Sequence, residues 1–351
     1  MNGHCVETFP PAKLNLFLEL KAKRPDGFHE LETVMVAIDR HDRLRVSRVP
    51  AESSPVTLQC QWSPAAGVWQ QRHRAALNQH DGASGIAKLA AAQDNESFAA
   101  DLVADVPSDQ RNLVVRGLGL FRQTFGIEAG FRACLQKQIP AGAGMGGASS
   151  DVASALLAAA KLCGIPTNDP QLLRIAAELG SDVPFFMGCQ DDPVTRSANG
   201  FHCAALATGR GECLRPLDVN GSWPFVVVYP PHAVSTAAVY AGSQVPNQPL
   251  TSTPLVNAFS SGNRERLVAG MVNRLTEPAR KISGWIDRTL ESMQHVGLSG
   301  VSMTGSGSAC FGIARSAADA RRAVNRLSSR RSGICFVANP TRLPAPVRFV
   351  A

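Results

Sequence analysis

The first ordered pattern along the chain is an alternation of apolar and polar residues over 12–20 (AKLNLFLEL), which predicts a strand. The turn-forming run Arg24-Pro25-Asp26-Gly27 follows, then strand-like runs over 31–38 (LETVMVAI) and 44–49 (LRVSRV), so the chain opens as a β-rich layer. From 61 to 109 the apolar periodicity fades into Gln, Ala, Asn, Asp and Ser, which reads as a surface insertion with a helical piece near 84–93. Helical spacing begins at Asn112 (NLVVRGLGLFRQTFG) and stops at Gly126. The strand-like GFRACLQKQI then runs into the glycine-rich stretch IPAGAGMGGASSD.

The Ala- and Leu-rich segment SDVASALLAAAKLC predicts a helix with Ser149 or Ser150 as its N-cap and Gly164-Ile165-Pro166 as its stop. PQLLRIAAEL predicts another, ending at Gly180. Past residue 188 the pattern restarts with a buried strand over 224–230 and helices across 263–295. VSMTGSGSACFGIA predicts two apolar strands joined at a glycine turn, followed by a helix near 316–328 and a strand over 334–338. Strands and helices mix without a regular βαβ repeat, which predicts an α+β fold in two domains, 1–188 (carrying the insertion, about 61–105) and 189–351.

Composition narrows the function classes. The chain has 351 residues, 44% hydrophobic and 18% charged, which is the make-up of a packed globular protein and not of a disordered chain. No apolar run approaches the ~18 residues of a membrane span, and the first residues lack a basic stretch followed by an apolar core. The expectation is a cytoplasmic protein without a membrane partner. The net charge of +7 comes without a block of five like charges or a basic segment interleaved with aromatics. That argues against nucleic acid and leaves a phosphorylated small molecule, which uses the same sign of charge. Nine cysteines form no CxxC pair and eight histidines form no HxxxH or HExxH spacing, so free thiols and no protein-held metal cage are expected.

The strongest chemical signal is Pro140, Ala141, Gly142, Ala143, Gly144, Met145, Gly146, Gly147, Ala148, Ser149 and Ser150, a glycine-rich run directly before a helix. Glycines let several backbone N–H groups converge on an anion, and a helix N-terminus adds about half a positive charge. A Walker A loop is excluded, because Ala148 follows Gly147 where lysine is required. Gly142-x-Gly144-x-x-Gly147 matches the dinucleotide fingerprint, but no strand ending in an acid follows about 20 residues later. A flexible turn and a phosphate loop of another kind remain, and the capped helix favours the second. Three weaker signals accompany it. Asp182 in Gly180-Ser181-Asp182-Val183-Pro184 starts a further helix and alone reads as an N-cap. Lys13 and Asn15 share one face of the first strand, where an exposed edge lysine is the plain reading. Gly305-Ser306-Gly307 reads as a tight turn or a second anion-facing loop.

Taken in order, PAKLN, PAGAGMGGASSD, LGSDVP and MTGSGSACF resemble the motifs of the GHMP kinases, and the resemblance covers nearly the whole chain outside 61–105. RPDGFHELET is similar to the members whose small-molecule substrate carries a cytidine diphosphate group. The resemblance implies a two-domain fold with the active site in the inter-domain cleft, and transfer of a phosphoryl group from ATP to a substrate hydroxyl. It implies that Pro140–Ser150 wraps the ATP phosphates, that Lys137 and Asn112 lie at the adenosine site, and that Mg²⁺ arrives with ATP. Asp182 would be the general base, Lys13 its partner, and Asn15 would orient the substrate. His29 would read the cytosine edge, Phe28 and Tyr240 would stack on the base, and Thr236 would lie nearby. The expected state is a monomer or weak homodimer. Met145 for the usual Leu, Ala148 where Gly is common and Asp151 in the helix start are departures from the family pattern.

Overall fold

The computed structural model describes residues 5–50, 55–64, 106–188, 203–330 and 332–350. The helical piece expected near 84–93 lies outside the described residues. Along the chain come strands β1 (Cys5–Thr8), β2 (Pro11–Lys23), β3 (His29–His41), β4 (Arg43–Val49) and β5 (Val56–Trp62), then helix α1 (Leu113–Phe125) and strand β6 (Gly130–Lys137). Helices α2 (Gly147–Cys163), α3 (Pro170–Leu179) and α4 (Val183–Met187) follow. After them come β7 (Ala204–Thr208), β8 (Cys213–Leu217), β9 (Phe225–Tyr229), α5 (Thr236–Ala241), α6 (Thr253–Ser261), α7 (Arg264–Gly270) and β10 (Val272–Asn273). The chain continues through α8 (Thr276–Ile282), α9 (Trp285–His295), β11 (Ser299–Met303), β12 (Cys310–Ile313), α10 (Ala317–Ser329), β13 (Ile334–Ala338) and β14 (Arg348–Phe349).

The strands form three sheets in the orders β14-β1-β4-β6-β5, β10-β2-β3-β7-β8 and β11-β12-β9-β13. The division expected at 188/189 is not a division between sheets: β14 pairs with β1, while β7 pairs with β3 and β10 with β2. Chain from beyond residue 188 therefore completes sheets begun by the first fifty residues. The alternation in β2 does not mark a wet face. Lys13, Asn15 and Glu19 are buried along with Leu14, Leu16 and Leu18, because β2 is an inner strand covered on both sides. The plain reading of Lys13 as an exposed edge lysine fails for that reason.

Helices α1 to α4 cover the first sheet through a core that includes Leu118, Phe121, Phe131, Val152 and Leu156. Each such side chain contributes roughly 1.5–3 kcal/mol through burial. Helix α2 is buried on every side from Val152 to Ala160, the signature of a helix enclosed by its neighbours. Its start differs from expectation. The helix begins at Gly147, capped by Gly146 in a left-handed conformation with no side-chain cap bond, and not at Ser149 or Ser150. With no side chain spent on capping, its first turn is left open toward the neighbouring cavity. Ala148, within that first turn, has a helical backbone, so the alanine brings no strain. Among the described residues no helix is long and apolar enough to cross a membrane.

Candidate active site

The glycine-rich loop between β6 and α2 borders a cavity of about 460 Å³. Residues 140–149 line it together with Lys13, Asn15, Asn112, Lys137, Asp182, Thr236 and Tyr240. Ser150 is the exception in the run, buried behind the loop within α2 and outside the lining. The loop is held from behind by its carbonyl groups. Ala141 O accepts from the Tyr229 hydroxyl (3.1 Å), Ala143 O from Ala309 N (3.2 Å), Gly144 O from Thr304 Oγ1 (3.4 Å) and Met145 O from Lys13 N (3.0 Å). A loop whose carbonyl oxygens are turned inward offers the cavity its N–H side, and α2 points its positive end at the same space. Met145 is buried as the leucine it replaces would be. Gly144 has φ 73°, and a Cβ there would stand 2.2 Å from Thr304 O, so the backbone of the 304–309 turn presses directly on the loop.

Lys13 and Asn15 project from β2 to one side, as the two-residue period requires. The Lys13 ammonium donates to Asn15 Oδ1 and lies 3.5 Å from Asp182 Oδ2. Asn15 is fixed in turn: its side-chain amide donates to Thr33 Oγ1 (2.8 Å) and its main-chain N–H to Thr304 Oγ1 (3.0 Å). Asp182 occupies the N-cap position of α4 but makes no capping bond with its side chain. Its carboxylate is 31% exposed, beside a nearly buried ammonium. The ordinary-cap reading of Asp182 therefore fails, and the carboxylate is free to act in the cavity.

The far end is built from β3, the β7–β8 hairpin and α5. The His29 ring lies 5.6 Å from the ring of Tyr240. Burial first, and then the nearby Lys23 charge, hold the His29 pKa below 6.5, so the imidazole is neutral. Burial pushes the Tyr240 phenol up to about 12, with the Asp182 charge adding to the shift. Neither Phe28 nor His29 is in the cavity lining; Phe28 is 56% exposed, with the Arg210 guanidinium 5.3 Å above its ring. Of the two rings expected to stack on the base, Tyr240 is met by His29 and Phe28 by Arg210. Thr236 shares a 2.8 Å hydrogen bond with Ser306 of the glycine turn.

At the other end, Asn112 caps α1 by accepting from Val114 N (2.9 Å) and donates to Pro107 O (2.8 Å), so its amide shapes the wall. Lys137 lines the same end, but its ammonium is bonded to both Asp42 and Asp151. Burial opposes its charge, yet the two carboxylates overcome that and hold its pKa above the ordinary lysine value. Burial likewise raises the Asp151 carboxyl far above the usual range, against the pull of Lys137. Sequence reasoning missed Arg111 and Arg210, which line opposite ends of the cavity, and Asp42 and Thr304, which act from behind it. Only Arg210 carried a local signal, a charge between the two glycines of a turn. Among the described residues no three His, Cys, Asp or Glu side chains converge as a metal cage.

The chain matches the family models described as GHMP kinases N terminal domain over residues 112–189 and GHMP kinases C terminal over 255–332. It is 43% identical over 335 residues to a Rhodopirellula baltica protein named 4-diphosphocytidyl-2-C-methyl-D-erythritol kinase, covering 93% of this chain and 92% of that one. A Streptomyces avermitilis protein of the same name is 31% identical, with 96% of each chain covered. Among solved structures, a 4-(cytidine 5'-diphospho)-2C-methyl-D-erythritol kinase superposes with a TM-score of 0.66 at 30% identity, over 95% of this chain and 98% of that one. A homoserine kinase from Cytophaga hutchinsonii reaches the same TM-score at 16% identity, over 98% of each chain, and shares the fold.

Proposed function

The chain belongs to the GHMP kinases and, within them, to the family of the 4-diphosphocytidyl-2-C-methyl-D-erythritol kinases; from that premise we propose that it transfers the γ-phosphoryl group of ATP to the 2-hydroxyl of 4-diphosphocytidyl-2-C-methyl-D-erythritol. The observation that carries this reading is the meeting of Lys13 and Asp182, 3.5 Å apart, in the cavity lined by the glycine-rich loop. The Asp182 carboxylate takes the proton of the attacking hydroxyl as its oxygen bonds to the γ-phosphorus. The bond from that phosphorus to the β–γ bridging oxygen breaks, and ADP leaves with the electron pair. Lys13 pairs with Asp182 and faces the charge developing on the substrate oxygen. Asn15, held by Thr33 and Thr304, fixes the Lys13 ammonium, so the pair is oriented before substrate arrives.

The phosphate oxygens of ATP accept from the N–H side of residues 141–149 and the start of α2. Mg²⁺ would arrive bound to the oxygens of the nucleotide and would neutralise their charge. At the far end a ring nitrogen of His29 bonds to the cytosine edge, and Tyr240 supplies a stacking face. Reaction takes place in the cytoplasm, where both nucleotides are at hand. The test is ADP release with 4-diphosphocytidyl-2-C-methyl-D-erythritol, homoserine and mevalonate offered in parallel, with CDP as competitor. Turnover of the cytidylyl alcohol alone, inhibited by CDP, is expected. Turnover of either base-free alcohol would overturn the assignment of the His29–Tyr240 end.

A further inference from the structure

Lys137, Asp42 and Asp151 form a buried ionic cluster that proton transfer and phosphoryl transfer do not themselves call for. Asp42 lies at the corner between β3 and β4, with its carboxylate fully enclosed. Its Oδ2 accepts from the Lys137 ammonium, and its Oδ1 accepts from the main-chain N–H groups of both Gln138 and Ile139, the latter at 2.8 Å. One carboxylate therefore grips the three residues immediately before Pro140. The same ammonium donates at 2.6 Å to Asp151 Oδ2, in α2 on the other side of the loop. The two ends of the glycine-rich loop are thus tied together through a single lysine. Asp151 Oδ1 is buried and has no hydrogen-bond partner among the described residues.

The cluster carries no net positive charge, so it gives a polyanion no attraction of its own. Nor is stability a sufficient reason for the cluster, because buried ion triads are often replaced by apolar side chains without loss. What it supplies is geometry. A loop with many glycines has many accessible backbone states, and aiming several N–H groups at one phosphate requires that its ends be fixed.

We propose that Asp42 is a positioning residue for the nucleotide: without touching ATP, it locks the approach strand and, through Lys137 and Asp151, the first helical turns, so that the phosphate loop is held open in its binding shape. Lys137 and Asp151 line the cavity and Asp42 does not. The inference rests on the reading of residues 140–149 as the ATP phosphate site.

The test compares Asp42→Asn and Asp151→Asn with the wild-type enzyme. Asparagine at 42 keeps an oxygen for the two amides but turns its NH2 toward the Lys137 ammonium, so the hold on the lysine that reaches α2 is lost. Asp42→Asn is expected to raise the ATP KM about tenfold or more, with the KM of the cytidylyl alcohol within about twofold. Asp151→Asn, which keeps an oxygen for Lys137 but weakens the tie to α2, is expected to raise the ATP KM in the same direction by a smaller factor, about threefold. Equal ATP KM values in Asp42→Asn and wild type, or a parallel rise of both substrates' KM, would overturn the proposal. In the unmodified enzyme, NMR amide exchange should show Gln138 and Ile139 protected at least about 100-fold over Gly142. Comparable exchange at the three sites would overturn it even if the variant does not fold. ATP titration of the wild type separates the two layers: no binding removes the phosphate-loop reading itself, whereas binding unaffected by Asp42→Asn removes only the clamp.

Discussion

Replacing Gly144 by alanine tests whether the loop is pressed into shape by the turn behind it. The new Cβ would lie 2.2 Å from Thr304 O, 3.0 Å from Gly307 N and 3.1 Å from Gly307 O, all main-chain atoms that no rotamer change can move aside. The first distance is at least about 1 Å short of ordinary contact. The loop and the turn must therefore part by about that much, and Thr304 carries the hydrogen bond that seats Asn15. A 1 Å misplacement of a positioned group costs about 100-fold in rate, and alanine in the left-handed region at φ 73° adds about 1 kcal/mol, a further fivefold. Gly142→Ala is the matched control: its φ is 63°, but the nearest atom to its Cβ is Ala233 Cβ at 4.0 Å, so only the backbone penalty applies. Steady-state ADP release should show kcat/KM reduced at least about 100-fold in Gly144→Ala and about fivefold in Gly142→Ala, with far-UV circular dichroism unchanged in both. Equal losses in the two variants would refute the argument that the 304–309 turn shapes the loop.

Three further outcomes follow from the same geometry. Asp182→Asn should lower kcat by about 10²–10⁴ while calorimetry finds ATP affinity unchanged; a kcat near wild type would remove Asp182 as the base. Burial and the Lys23 charge lower the His29 pKa, so the rise in KM for the cytidylyl alcohol on acidification should come at lower pH than the titration of a free imidazole, and be absent in His29→Gln. An inflection above pH 6.5 would contradict the assignment. Arg274 pairs with the fully buried Glu19 carboxylate through two hydrogen bonds, 2.7 and 2.6 Å, and Arg274→Met should destabilise the protein by about 3 kcal/mol in urea denaturation. Loss of less than about 1 kcal/mol would show that solvent replaces the arginine.

Local rules reached most of the elements. The β11–β12 pair joined at the glycine turn, the α1 boundaries set by Asn112 and Gly126, and the α+β class were all legible. What escaped was set by partners distant in sequence. The alternation of β2 suggested a wet face, whereas burial on both sides places Lys13, Asn15 and Glu19 inside with specific partners. Residues 61–62, read into the insertion, close β5 because β6 offers them a parallel edge. The β7–β8 hairpin, which brings Arg210 to the cavity, has no strong alternation and forms by pairing on β3. Lys13, Asn15 and Asp182 became legible as a site only through the order of the four motifs, since each alone has a plainer reading. Asp42, in the unremarkable run Ile38-Asp39-Arg40-His41-Asp42, carried no signal, because its role exists only once β4 and β6 stand side by side.

The most direct test of the central claim is to incubate the enzyme with ATP, Mg²⁺ and 4-diphosphocytidyl-2-C-methyl-D-erythritol and to locate the transferred group by ³¹P NMR. Lys13 and Asp182 acting on the 2-hydroxyl predict one new phosphomonoester, at the 2-position, formed in step with ADP and absent with Asp182→Asn. A phosphate on a different hydroxyl, or ADP formed without any new phosphomonoester, would contradict the account.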